Sequence, residues 1–118
     1  MTLSIVVVLP LKVCVHGEVG MNFFGDVFDE VAAFEEDAFS CIIHDPPTLS
    51  LAGDLYSEEF YRELYRVLKR RGRLFHYIGD LESASGRRVS KGVVQRLQSA
   101  GFQRVQPKPK AFGLLAHK

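Results

Sequence analysis

Phe39-Ser40-Cys41-Ile42-Ile43-His44-Asp45-Pro46-Pro47-Thr48-Leu49-Ser50, residues 39–50, is the stretch whose reading decides the fold. Phe39, Cys41, Ile42 and Ile43 form a short apolar run, partly β-branched, with little polar alternation, the pattern of a strand covered on both faces in a parallel sheet. Pro46 and Pro47 have no amide hydrogen and fix their own φ, so they end the ladder and leave carbonyl oxygens without local partners. A stiff polar loop at the carboxyl end of a parallel strand is where open α/β sheets bind ligands. Asp45 and the Pro46 carbonyl are both acceptors, suited to the hydrogens of a planar amino group. Taken alone, Asp-Pro-Pro is equally a plain turn.

Outward from this loop, Ser57 is an N-cap with Glu58 and Glu59 at the positive end of a helix. Phe60, Leu64 and Leu68, flanked by Tyr61, Tyr65 and Val67, give that helix an apolar core face. Lys69, Arg70 and Arg71 suit its negative end, and Gly72 its stop. Arg73–Tyr77 reads as the next buried strand. A crossover from strand 39–43 to strand 73–77 brings His44 and His76 to the same sheet edge. Residues 79–88, GDLESASGRR, read as a polar loop over the site, with Arg87 and Arg88 available to phosphate. Ser90 is expected to cap a last helix with Val93, Val94, Leu97 and Ala100 on its apolar face and Gly101 as its stop. Phe102–Gln106 and Ala111–Ala116 then form a closing hairpin around Pro107 and Pro109.

The run HDPPTLSLAGDLYSEEFYRELYRVLKRRGRLFHYIGD resembles the central part of the archaeal predicted methyltransferases, a class I S-adenosylmethionine-dependent group with a His-Asp-Pro-Pro loop. The similarity runs from about Gly25 to Gly113, and its specific parts are His44–Pro47, Leu51–Tyr65 and Arg73–Gly79. It implies an α/β fold with a mainly parallel, Rossmann-like sheet, truncated on its N-terminal side and closed by a C-terminal antiparallel hairpin. It implies S-adenosylmethionine as cofactor, with Asp26 meeting the adenine amino group, Val27 packing on the ring and Asp45 close by. It also implies that Asp45 and the Pro46 carbonyl orient a target nitrogen; beside it, the residues themselves suggest His44 for proton removal and Pro47, Thr48 and Tyr77 for the target pocket, although His76 and Tyr77 are equally plain strand-end residues. Thr48 stands where related loops carry an aromatic residue, and Leu68-Lys69-Arg70-Arg71-Gly72 replaces the common Leu-Lys-Pro-Gly-Gly.

Upstream the resemblance stops. Residues 1–24 are β-rich, with Ile5–Leu9 and Leu11–His16 separated by Pro10, a turn at Gly17–Gly20 and a short apolar run at Met21–Phe24. Gly25-Asp26-Val27 opens a helix over Val27–Phe34, for which Asp26 is also a plain N-cap. No glycine-rich strand-to-helix junction precedes it. The 118 residues form one domain, 1–118, with residues 25–118 as the methyltransferase-like half.

The composition, 47% hydrophobic and 25% charged, excludes a disordered or fibrous chain. Cys14 and Cys41 lie far apart without metal-ligand spacing, so no disulfide framework is expected and a cytoplasmic setting is. The apolar run Ile5–Leu11 is broken by Pro10 and is far below the ~20 residues of a membrane helix. Charge is divided: residues 1–61 hold one lysine against eleven acids, and residues 62–118 hold fourteen basic residues against three acids. That asymmetry fits RNA or another nucleic acid as partner, and equally a homo-oligomer or complementary subunit. Two further readings stand beside methyl transfer. One is a truncated, non-catalytic module that binds RNA or a partner subunit. The other is a metal-dependent hydrolase built from His44, Asp45 and His76, although no ligand spacing supports a metal.

Overall fold

In the computed structural model, residues 5–9, 12–15, 18–22, 31–46, 49 and 53–118 are described, the first three segments as backbone alone. Among these described residues seven strands form one sheet: β1 (Ile5–Leu9), β2 (Lys12–Val15), β3 (Glu18–Asn22), β4 (Phe39–His44), β5 (Leu68–Tyr77), β6 (Gln103–Lys108) and β7 (Gly113–His117). Their order is β3-β2-β1-β4-β5-β7-β6. The centre is parallel, with β4 between β1 and β5. Both margins are antiparallel, a β1-β2-β3 meander on one side and the expected β6-β7 hairpin on the other. The expected turn at Gly17–Gly20 is displaced, because Glu18 and Val19 already pair with Val15 and Cys14 in the meander.

Helix α1 (Glu58–Val67) connects β4 to β5, and α2 (Ala84–Ala100) connects β5 to β6. Ser57 caps α1 as its position demands, its hydroxyl accepting from the Phe60 amide at 3.1 Å. The apolar stripe of α1 is buried through Phe60, Tyr61, Leu64 and Val67. Val93 and Leu97 of α2 pack into the same core, with Ile42 and Leu74 from the sheet beneath. Burying side chains of this size stabilises the fold by roughly 1.5–3 kcal/mol each before conformational entropy is counted.

Two boundaries differ from the sequence expectation. First, α1 does not run on to Gly72: Leu68 is already extended and begins β5. The ladder is then interrupted, since Phe39 pairs with Leu68 but Cys41 pairs with Arg73. Lys69–Gly72 therefore bulge out, with Arg71 in the left-handed region at φ 69°. A Cβ on Gly72 would lie 2.7 Å from the Lys69 carbonyl oxygen, so the bulge closes only over a glycine. Second, α2 starts at Ala84, capped by Ser83 rather than Ser90. The Ser83 hydroxyl accepts from the Gly86 amide at 3.0 Å and donates to the Asp80 carbonyl at 2.8 Å. Arg87 and Arg88 are thus helical, and the expected polar loop is cut to a short turn.

Basic side chains close the helix ends. Lys118 Nζ donates to the Tyr65 and Leu68 carbonyls at 2.7 Å each, where α1 leaves acceptors unpaired and its dipole is negative. Arg66 reaches the carbonyls of Val31, Ala32 and Phe34, fixing the end of the helical turn that precedes β4.

Candidate functional site

The carboxyl ends of β4 and β5 lie side by side, with His44 and His76 as register partners. Both rings are fully buried, their centroids 4.5 Å apart, in agreement with the shared edge that the crossover predicts. His44 lies flat on Phe60, and its Nε2 is 2.8 Å from the Leu55 carbonyl. A carbonyl only accepts, so Nε2 carries the proton and donates. The other nitrogen, Nδ1, has no hydrogen-bond partner among the described residues. His76 Nδ1 donates to the Tyr77 carbonyl at 2.9 Å, leaving Nε2 to accept from the Tyr61 hydroxyl at 2.9 Å.

Burial decides the charge of this pair. Loss of water lowers the His44 pKa to about 4, against a smaller upward pull from the Leu55 hydrogen bond. Burial, reinforced by the neighbouring His44 and the Arg96 guanidinium, holds His76 well below its ordinary value. Both imidazoles are neutral at pH 7. Burial likewise pushes up the Tyr61 phenol, so it stays a donor.

Asp45 follows directly and is exposed, whereas Pro46 is buried, anchoring the start of the loop. Tyr56 stands close to Asp45: burial first, and then the Asp45 charge, raise its phenol pKa. Tyr56 also lines a cleft of about 360 Å³ with Leu49, Ile78, Asp80, Ser83 and Val89. The cleft therefore lies between the end of β5 and the first turns of α2. Tyr77 is 41% exposed and, by strand alternation, is on the opposite side of β5 from His76. It is not among the residues lining that cleft. Asp26, Val27, Pro47 and Thr48 lie outside the described residues. Among the described residues no group of three His, Cys, Asp or Glu side chains could hold a metal ion.

The sequence reading missed Arg96, Tyr56 and Tyr61. Arg96 Nε donates to the Tyr56 carbonyl at 2.7 Å, and its guanidinium also bonds the Tyr61 hydroxyl. The network Arg96–Tyr61–His76 thus runs beneath the site from α2 through α1 to β5. Tyr61 sits on a helix face otherwise filled with apolar residues, and Arg96 sits beside Leu97. Only the spatial pairing of the two helices gives those polar ends a purpose.

No family model matches the chain. An uncharacterized protein of Methanocaldococcus jannaschii, MJ1233, is 48% identical over 95 residues, covering 80% of this chain and 33% of that protein. The chain thus spans about a third of the length of this curated relative. Among solved structures, TTHA0409 of Thermus thermophilus, assigned as a DNA modification methylase, superposes with a TM-score of 0.57 at 23% identity, over 80% of this chain and 52% of that one. That protein has also been solved in complex with S-adenosyl-L-methionine. Spermidine synthase of Thermotoga maritima gives a TM-score of 0.60 at 21% identity, over 82% of this chain and 34% of that one. A methyltransferase of Thermotoga maritima, TM1293, gives 0.52 at 20% identity, over 73% and 58%. At these identities the likeness establishes the fold alone, and the chain carries a Rossmann-like α/β sheet of the kind these solved structures share.

Proposed function

We propose that this chain is a methyl-transfer module of the S-adenosylmethionine-dependent class, acting on a nitrogen of a nucleobase or another planar amine. The observation that carries this reading is the placement of Asp45. It is an exposed carboxylate directly after a central parallel strand, held on a buried proline and a buried histidine, beside a cleft roofed by α2. These groups suit the acceptor side of methyl transfer: two oxygen acceptors, Asp45 and the Pro46 carbonyl, with Tyr56, which lines the recess, close to Asp45.

When bound, the cofactor supplies an electrophilic methyl carbon on a sulfonium. Asp26, Val27 and Asp45 are the residues that would hold it. The chain's own contribution is orientation, because transfer requires the nitrogen lone pair to be aligned with the methyl group. Asp45 and the Pro46 carbonyl accept the two amine hydrogens and so aim the lone pair. His44, neutral and buried with Nε2 on Leu55, holds the root of the loop in this reading, and any share in proton removal would fall to Nδ1.

A second reading is a non-catalytic module that binds RNA or a partner subunit, and one observation favours it. β2 and β3 join β1 as an antiparallel meander. Calorimetric titration with S-adenosylmethionine and its demethylated product, for the parent chain and for Asp26→Ala, separates the two. Saturable binding weakened by the substitution supports methyl transfer. A folded chain that binds neither ligand at millimolar concentration sinks the stand-alone enzyme.

A further inference from the structure

A second recess, of about 320 Å³, shares Leu49, Ser85 and Val89 with the surroundings of the first and is otherwise lined by Arg88, Gly92 and Arg96. Arg88, Gly92 and Arg96 recur every four residues on α2, so they form one stripe on the helix surface. A glycine inside a helix costs about 0.5–1 kcal/mol relative to alanine. Here it leaves the space in which the second guanidinium lies, since a Cβ at Gly92 would be 2.9 Å from a terminal nitrogen of Arg96. The known partners of Arg96 are neutral, the Tyr56 carbonyl and the Tyr61 hydroxyl. Among the described residues neither Arg88 nor Arg96 pairs with a carboxylate. Arg87, by contrast, points to the Glu82 carbonyl.

We infer that Arg88 and Arg96, separated by Gly92, form an anion subsite that takes the phosphate of a nucleotide whose amino-bearing ring occupies the adjoining cleft beside Asp45 and Tyr56. Guanidinium groups match phosphate oxygens in charge and geometry. Ser85, in the first turn of α2, adds a hydroxyl at the positive end of that helix. The ring half of this assignment rests on the proposed methyl-transfer reading, whereas the phosphate half rests on the arginines alone. The substrate class is accordingly a nucleotide, either free or as a unit of a single strand.

The test is titration of the purified full chain with AMP and CMP, with the corresponding nucleosides, and with IMP and UMP, which carry a carbonyl where the first pair carry the amine. The expected result is that monophosphates bind about tenfold more tightly than nucleosides, the size of one charge-assisted contact. Arg88→Gln and Arg96→Lys should abolish that preference, and Arg87→Gln should preserve it. Equal affinity for nucleoside and monophosphate, or a preference that survives Arg88→Gln, overturns the subsite; Arg88 is exposed, so its replacement does not depend on refolding the core. A single-stranded oligonucleotide titrated in parallel identifies the source. Arg88-dependent binding of the strand alone assigns a polymer, Arg88-dependent binding of the monophosphate assigns a free nucleotide, and binding of neither overturns the inference. Loss of AMP and CMP preference over IMP and UMP, with the phosphate effect intact, would remove the Asp45 amine reading and leave the anion subsite standing.

Discussion

His44 and His76 are paired residue for residue across two parallel strands, and each donates its single ring proton to a backbone carbonyl. Two imidazoles in contact inside a core are stable together only while neither is charged. The ends of β4 and β5, and therefore the loop that begins at Asp45, are held by groups that acid would pull apart.

The pH dependence has a definite sign. The folded-state pKa of His44 is lowered to about 4 from an ordinary 6.5, so below pH 6.5 the unfolded chain binds more protons than the folded one. The contribution is fully present above that value and is lost as pH falls toward 4. At pH 5 the loss from His44 alone is about 2 kcal/mol, and His76, also lowered, adds to it. Urea unfolding at pH 7.5 and pH 5 should show this drop, and His44→Gln should reduce it to the share of His76. An equal midpoint at both pH values would contradict the buried neutral pair.

Tyr61→Phe should destabilise the fold by about 1–3 kcal/mol, because the His76 Nε2 acceptor is left buried without its donor. The ring volume is preserved, so the effect is not a cavity. Thermal melting at neutral pH reads it directly, and an unchanged midpoint would show that the hydroxyl bond is not needed.

The turn that supports the cleft is set by Gly86. A Cβ there would sit 1.8 Å from the Asp80 carbonyl oxygen, so Gly86→Ala must shift the turn from Asp80 to Ser83. Overpacking of this kind costs about 1–3 kcal/mol, and it should change the amide chemical shifts of Asp80 and Ser83. Ser83→Ala, which removes only the cap, should cost about 1 kcal/mol.

Lys118→Met removes the ammonium that lies over the Tyr65 ring and bonds the Tyr65 and Leu68 carbonyls. A loss of about 1–3 kcal/mol is expected, the range for a hydrogen bond from a charged group. Denaturant unfolding with a wild-type midpoint would mean that water replaces the lysine at no cost.

Much of this arrangement is legible in the sequence. Short apolar runs followed by Asp-Pro-Pro and by His-Tyr mark the adjacent strand ends, and Ser57 marks a helix start by type and position. Other features depend on geometry that no local pattern encodes. Ser83, Ser85 and Ser90 are equivalent as caps by residue type; the choice falls on Ser83 because Leu81 is buried and Gly86 alone clears the Asp80 carbonyl. The meander of β1–β3 was unreadable for a related reason, since a valine-rich run satisfies parallel and antiparallel ladders alike. Arg96 reads as solvated surface until α1 brings Tyr61 beneath it. The contacts of Asp26, Val27, Pro47 and Thr48 fall outside the described residues, so the cofactor side of the proposed site rests on the resemblance.

The bulge at Lys69–Gly72 has a practical meaning. It is at the amino edge of β5, opposite the strand end that carries His76, and its extra residues are already excluded from the ladder. A one-residue slip within a strand would exchange its two faces and expel His76 from the core. Within the bulge, an added residue lengthens a surface excursion and leaves the register from Arg73 onward intact. Exposed Arg70 and Arg71 are therefore the places to attach a fluorophore or a solid-phase tether while ligand binding is measured at the other end of the sheet.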